Sequence, residues 1–417
     1  MTVLLKSAKI IAPNNKGLHT KKRDILVHNG SIEKIATSIT PPKKAMLVDK
    51  PNLHVSLGWF DTSVCFGEPG FEERETIANG LNVAAKSGFT DILLNPNTNP
   101  TPDTSSNIVF LKDRSKGHTV SLHPIGNLSV KASSENLAEL YDMKKAGAVA
   151  FYDYKKPINN ANLLKIALLY AQNFEGLVFS FPQNEQIKGK GIVDECETST
   201  RLGLKGIPAL AEELQIARDL FILEYTGGKL HIPALSTAKS VKLIAEAKKK
   251  KLNVTCSVPI HNLVFGQELL QEFDTNYKLM PPLRGKADQK ALLKGLKDGT
   301  VDYVTSDHSP IDIEQKKVEF DNAAYGSLGL ESMFGALNTL MSLDDTIALL
   351  TKGRERFGLP EPELKEGATA CLTLFNPDKE YTLTKDQLAS TSKNSAFLNQ
   401  PLTGKVYGVF NNGKLTL

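Results

Sequence analysis

Residues that could act as acids, bases or nucleophiles follow several apolar segments of this chain. Asp61, Ser63 and Cys65 come at the end of the first such segment, and Asn95 and Asn97 follow the next. The equivalent place after later segments is taken by Asp153, Ser180, Ala234, His261, Asp307 and His308. Carboxylates and imidazoles brought together can transfer protons or bind a metal ion. Whether they meet depends on the elements that carry them.

The middle of the chain alternates apolar segments with amphipathic ones. The apolar segments predict strands, among them 90–94, 148–151, 177–180, 229–232, 253–256 and 303–305. Helical periodicity lies between them, for example over 160–173, 209–224 and 238–250. About eight such units fit an α/β fold of the (β/α)8 TIM type better than an open sheet. The carboxyl ends of the strands then meet at one mouth, where the polar residues are expected.

Both ends of the chain have a different pattern, with short apolar segments separated by turns. Asn29-Gly30 between two such segments predicts a hairpin, and Asn412-Gly413 has the same form near the other end. We therefore predict that residues 1–55 and 365–417 together form a small β-sandwich domain. Residues 56–364 are predicted to form the barrel domain.

Composition excludes several classes of protein. The 50 basic and 46 acidic residues leave a net charge of only +4, so nucleic acid is not an expected partner. No apolar run approaches the ~18 residues that span a membrane. The four cysteines are widely separated, which is typical of reduced thiols and predicts a cytoplasmic location.

Several segments, taken together and in order, resemble the dihydroorotases of the amidohydrolase superfamily. Residues 66–70 match a Phe-Arg-Glu-Pro-Gly pattern, and residues 95–100 match Met-Pro-Asn-Thr-x-Pro. Pro281-Pro282-Leu283-Arg284 and residues 305–310 also fit family segments. The resemblance covers nearly the whole chain and is closest to the transcarbamoylase-associated class. It implies a place in pyrimidine biosynthesis and a hydrolase that acts on a cyclic amide with one or two zinc ions.

The same resemblance implies that the zinc-ligand histidines are replaced. The family's first pair of histidines reads Ser63 and Cys65, and the later two positions read Ser180 and Ala234. Asp307 remains at the family's acidic position, and Asp153 matches the bridging aspartate. Carboxylates without imidazoles form a poor zinc site. We therefore predict that no metal is bound and that Asp307 is a vestigial catalytic residue.

The resemblance also implies that several substrate-binding residues of the family are replaced in this chain. The family's arginine, which grips the substrate carboxylate, is Gly67 here, and its asparagine and histidine are Met280 and Ile311. Asn97 is retained, either as a substrate-binding group or as a turn residue. His231 and His261 are interpreted as core residues. Side chains large enough to fill the mouth are Phe66, Phe181 and Met280.

Three hypotheses for the function follow. The first is a catalytically inactive dihydroorotase homologue that acts as a structural or regulatory partner of aspartate transcarbamoylase. The second is an active hydrolase of a cyclic amide with an altered or mononuclear metal site at Asp153, Asp307 and Cys65. The third is a sensor of pyrimidine intermediates. A triad of Ser63 or Ser180 with His308 and Asp307 has no supporting motif. A homodimer is a further expectation for barrels of this kind.

Overall fold

The computed structural model describes residues 1–417, which form a barrel and a separate β-rich sheet. The strands are β1 (Thr2–Ile10), β2 (Lys22–His28), β3 (Ser31–Ala36), β4 (Met46–Val48), β5 (His54–Leu57), β6 (Trp59–Val64), β7 (Phe89–Leu94), β8 (Ser121–Pro124), β9 (Leu177–Phe179), β10 (Val193–Asp194), β11 (Gly206–Ile207), β12 (Lys229–Ile232), β13 (Val254–Pro259), β14 (Tyr303–Thr305), β15 (Leu372–Thr382), β16 (Pro401–Asn411) and β17 (Lys414–Thr416). The α-helices are α1 (Ile77–Lys86), α2 (Ser105–Arg114), α3 (Leu140–Ala146), α4 (Ala161–Ala171), α5 (Glu185–Lys188), α6 (Glu197–Arg201), α7 (Ala209–Thr226), α8 (Ala238–Lys249), α9 (Ile260–Val264), α10 (Lys286–Asp298), α11 (Ile313–Lys316), α12 (Leu330–Leu340) and α13 (Leu343–Thr351).

The barrel consists of parallel strands that alternate with helices. The strands β6, β7 and β8 pair in that order, and β9, β12, β13 and β14 pair in a second group. Phe151 joins the two groups, because it forms parallel bridges to Gly126 on one side and Val178 on the other. A parallel bridge from Val64 to His308 closes the ring. The predicted (β/α)8 architecture is therefore confirmed.

Both ends of the chain contribute to one further sheet. Its strand order is β17-β16-β15-β5-β1-β2-β3, with β4 paired to β1. The hairpin predicted at Asn29-Gly30 is present, since β2 and β3 pair on either side of that turn. The antiparallel pairing of β15 with β5 joins the two ends of the chain. Strands from both termini therefore share one β-rich sheet, and the bounds predicted for the two domains, 1–55 with 365–417 and 56–364, stay a prediction.

Buried aromatic rings connect this sheet to the barrel. Trp59, at the start of β6, is fully buried, and its ring centroid lies 4.7 Å from that of Phe334 and 5.6 Å from that of Phe375. Arg354 is also buried, and its Nη2 donates to Asp91 Oδ2 at 2.9 Å. These aromatic rings pack the β-rich sheet against the start of β6, at the end of the barrel opposite the mouth.

The sequence predicted some elements better than others. The predicted strands 229–232 and 303–305 coincide with β12 and β14. The segment predicted as a strand over 148–151 pairs with both neighbouring strands, since Val149 N donates to Pro124 O and Phe151 N donates to Leu177 O, although only Phe151 makes regular bridges. None of the helices is both long and apolar enough to cross a membrane.

Candidate functional site

The ends of three barrel strands bring polar side chains together at the mouth. Ser63 lies near the end of β6, and its Oγ donates to Asp307 Oδ1 at 3.2 Å. Asn95 follows β7, and its Nδ2 donates to Ser63 Oγ at 3.1 Å. Asp307 follows β14 with a left-handed φ of 44°. The structure therefore places Ser63, Asn95 and Asp307 at one mouth, as the barrel prediction required.

A lysine that the sequence analysis did not single out completes this cluster. Lys155 donates from its Nζ to Asp307 Oδ2 at 2.8 Å. The two side chains are only 15% and 10% exposed. The ammonium also lies 5.3 Å from the centre of the Tyr154 ring. Asp307 thus has a protein cation as its counter-ion.

Cys65 lies beside this cluster but is not a reactive thiol. It is buried, and Asn95 Nδ2 lies 3.6 Å from its Sγ. Burial raises the pKa of Cys65 to about 12. Because the thiolate is the form that attacks, this thiol is a poor nucleophile near neutral pH.

Asp153 stabilises a neighbouring loop. Its Oδ1 accepts hydrogen bonds from the backbone N–H groups of Leu128 and Ser129, each at 3.0 Å. Its Oδ2 accepts from Ser129 Oγ. Asn127 Nδ2 donates to Oδ1 at 3.3 Å. All of these partners lie in the segment after β8, so the carboxylate is already committed to holding that loop.

The remaining two positions that the resemblance marks as former ligands offer no donor at the mouth. Ser180 Oγ donates to Asp219 Oδ2 on α7 at 2.6 Å, and Asp219 in turn pairs with Arg218 at 2.7 Å. Ala234 has only a methyl group and belongs to an apolar cluster. Neither position brings nitrogen or sulfur into the site.

Buried apolar side chains pack together next to Ala234. Phe181 and Met280 are buried in one cluster with Ala234 and Tyr152. Two of the three side chains suggested as fillers therefore lie here. Phe66 does not, because its ring contacts the Gly80 position on α1 and belongs to a different core cluster.

The buried histidines have structural surroundings. His231 contacts Thr255 Oγ1 at 2.9 Å and Ser257 Oγ at 3.2 Å, as expected for a core residue. His308 Nδ1 accepts from the backbone N–H groups of Gly329 and Leu330 at the start of α12. Burial lowers the pKa of His308 to about 3, so its ring is neutral at pH 7. No hydrogen bond joins His308 to Asp307 or to either candidate serine, so no triad is formed.

Several proteins of known family are similar in sequence to this chain. A family model described as dihydro-orotase-like matches residues 54–240. The dihydroorotase of Pelotomaculum thermopropionicum is 36% identical over 100% of this chain and 99% of that protein. The dihydroorotase of Syntrophus aciditrophicus is 35% identical over the same shares. This chain belongs to the dihydroorotase family.

Solved structures agree on the fold of this dihydroorotase-family chain. The L-hydantoinase (dihydropyrimidinase) from Arthrobacter aurescens superimposes with a TM-score of 0.84 at 21% identity, covering 99% of this chain and 95% of that one. A D-hydantoinase gives a TM-score of 0.82 at 20% identity, covering 100% and 95%. These neighbours share the TIM barrel with an added β-rich domain.

The side chains of this dihydroorotase-family member do not fit the zinc that the resemblance implies. No group of three or more His, Cys, Asp or Glu side chains is arranged to hold a metal ion. Beside Asp307 the mouth offers the hydroxyl of Ser63 and the lone thiol of Cys65, whereas zinc is bound by three or four thiolate, imidazole or carboxylate ligands. The Asp307 carboxylate is already paired with Lys155. We derive no step through a metal.

Two positions that the resemblance marks for substrate binding make local contacts within this chain. A Cβ added at Gly67 would lie 1.7 Å from the backbone O of Phe71, so no side chain fits there without moving the loop. Asn97 Nδ2 donates to the backbone O of Phe66 at 3.1 Å and thereby ties two rim loops together. The side-chain amide of Asn97 therefore makes a hydrogen bond within the protein that requires no substrate.

Proposed function

We propose that this chain is a dihydroorotase homologue of the pyrimidine pathway that lacks dihydroorotase activity. In this proposal it acts in the cytoplasm as a structural or regulatory partner of aspartate transcarbamoylase. Family membership supports the link to the pathway. The contacts at the mouth support the loss of activity.

The observation that carries the proposal is the ion pair between Lys155 and Asp307. Family enzymes place one or two zinc ions at this mouth, and Asp307 occupies the retained acidic position. Here the ammonium lies 2.8 Å from the carboxylate, with both groups largely buried. A buried cation at that distance repels a second cation strongly, because Coulomb energies rise in a low-dielectric interior. The pair therefore competes directly with a metal ion.

Loss of substrate recognition supports the same conclusion. The position of the family's arginine is Gly67, where the loop leaves no room for even a Cβ. Phe181 and Met280 line the mouth with buried apolar surface. The carboxylate of the substrate would have to be desolvated against that surface without the bidentate contact that an arginine provides.

The test is a direct assay of purified full-length chain with dihydroorotate and with carbamoyl aspartate, with and without added zinc. The Syntrophus aciditrophicus dihydroorotase, which matches this chain over its whole length, serves as a parallel control. We expect turnover by the control only. Metal-dependent turnover by this chain, abolished by a chelator, would refute the proposed inactivity.

The proposed partnership with aspartate transcarbamoylase rests on the resemblance to the transcarbamoylase-associated class. It is tested by mixing this chain with the transcarbamoylase catalytic subunit of the same organism and measuring the mass of the complex by light scattering. Co-elution at micromolar concentrations is the expected result. Separate elution of both proteins at tens of micromolar would contradict the partnership while leaving the inactivity untouched.

The other two hypotheses make different predictions in the same experiments. A hydrolase with an altered metal site would contain stoichiometric zinc or iron in elemental analysis. This is disfavoured by the hydrogen bonds of Asp153 to the loop after β8 and by the pairing of Asp307 with Lys155. A sensor would show a raised melting temperature with dihydroorotate or carbamoyl aspartate and no turnover.

A further inference from the structure

A cavity of about 430 Å³ lies between the barrel and the β-rich sheet. The barrel contributes residues from the end of α1 and the first half of α12, and the sheet contributes residues of β15 and β16. Ser63, Asn95 and Asp307 do not line this cavity, so it is separate from the mouth. Pockets that bind small molecules have volumes of about 300–1,000 Å³ and are common where two domains meet. The size and the place of this cavity therefore suit a small molecule.

One wall of the cavity is apolar and held in place by its own packing. Phe334 lines the cavity, and its ring centroid lies 4.7 Å from that of Trp59 and 5.2 Å from that of Phe375. Gly404 has a φ of +119°, and a Cβ added there would lie 2.5 Å from the Phe334 ring, so the glycine lets β16 approach the ring closely. Tyr381 adds a second aromatic side chain to the lining. The wall is therefore a preformed apolar surface that suits a flat apolar group.

The cavity also carries positive charge that the chain does not neutralise. Lys86, Lys379 and Lys405 are exposed residues that line it, and none of them takes part in a salt bridge. Glu331 contributes the one carboxylate of the lining, and it accepts two hydrogen bonds of 2.6 Å from residues 389–390. Three ammonium groups thus face one carboxylate that already has partners. This excess of positive charge is complementary to an anion.

We propose that the cavity binds a small anion that carries a flat apolar ring, as a nucleotide phosphate or an aromatic carboxylate does. The ring lies against Phe334 and Tyr381, and the anionic group lies among the lysines. Ammonium groups form charge-assisted hydrogen bonds with phosphate and carboxylate oxygens. Binding at this place is independent of the residues at the mouth, so the proposal does not depend on whether the chain has dihydroorotase activity.

The test is isothermal titration calorimetry of the full-length chain with two probes, adenosine monophosphate and naphthoate. Each probe is compared with its uncharged counterpart, adenosine or naphthamide. We expect at least one anion to bind at one site per chain with a Kd below about 1 mM, and its uncharged counterpart to bind at least about tenfold more weakly. The anion that binds distinguishes a nucleotide from an aromatic carboxylate. Absence of binding by both anions, or equal binding of the uncharged compounds, would overturn the proposal.

The variant K379E/K405E locates the site, because it reverses two of the three charges in the cavity. It should weaken binding of the anion at least about tenfold. The matched control K242E/K249E reverses two exposed lysines on α8 that also form no salt bridge, and it should change the Kd by less than about twofold. If circular dichroism shows that K379E/K405E is misfolded, K379M/K405M removes the same charges and keeps long apolar side chains. Unchanged binding by the folded cavity variant, or equal weakening by the control, would place the anion elsewhere and refute the proposed site.

Discussion

At the scale of single residues, the Lys155 ammonium is the counter-ion of Asp307 at the mouth of this barrel. Ser63 donates a further hydrogen bond to the same carboxylate, and Asn95 donates to Ser63. The Asp307 carboxylate is therefore charge-paired and hydrogen-bonded within the protein, and the contribution of this pair to stability can be measured.

Removing the ammonium with Lys155→Met should destabilise the protein by about 2–4 kcal/mol, because Asp307 is left as a largely buried charge without its partner. The free energy of unfolding in urea measures this loss. Lys156→Met is the control, since that neighbouring side chain is exposed and its replacement should change stability by less than about 0.5 kcal/mol. The double variant K155M/D307N should recover much of the loss. If K155M is neutral, the ion pair does not contribute to the fold.

The buried histidines predict a dependence of stability on acid. Burial lowers the pKa of His308 from 6.5 to about 3. Below pH 6.5 the unfolded chain takes up a proton that the folded chain does not, so stability present above that pH is lost as the pH falls toward 3. His308→Asn should reduce the loss between pH 7 and pH 5 by about 2 kcal/mol. Urea unfolding at both pH values measures this. The exposed His28→Asn should leave the wild-type dependence unchanged.

At the scale of elements, strand positions were predictable where apolar segments were continuous and bounded by turns. Lys229–Ile232 and Tyr303–Thr305 are such cases. The directions of side chains were harder to predict from the sequence, because they depend on partners that are distant in sequence. Asp153 follows the bridge at Phe151, yet it is directed to Ser129 rather than toward Asp307. The sequence did not indicate Lys155 as a residue of the site, since a lysine after a strand is normally solvated.

A substitution at Gly67 tests whether the loop that carries it has room for a side chain. Gly67→Ala should cost about 1–3 kcal/mol, because the new Cβ overlaps the backbone O of Phe71 and the loop must move. Thermal and urea unfolding measure the cost. Gly17→Ala is the control, as its Cβ would make only an ordinary contact at 3.4 Å. If Gly67→Ala is as stable as the wild-type chain, the loop retains enough freedom to accept the family's arginine.

At the scale of the whole molecule, the two ends of the chain are required for a single structure. The strand β15 lies between β5 from the N-terminal part and β16 from the C-terminal part. On the barrel side, Asn338 Nδ2 on α12 donates to the backbone O of Thr403 in β16 at 2.9 Å. Loss of the last strands should therefore disturb the barrel as well as the sheet.

Two truncations separate the contributions of the last strands. Removing residues 401–417 deletes β16 and β17, leaves β15 with an unpaired edge and uncovers Phe334, so we expect an insoluble or partly unfolded chain. Removing residues 414–417 deletes only β17 and leaves β16 paired with β15, so a folded chain with a melting temperature lowered by a few degrees is expected. Soluble yield and thermal melting followed by circular dichroism distinguish the two. A folded, cooperative chain after the longer deletion would show that β16 and β17 are dispensable for the barrel and for the rest of the sheet.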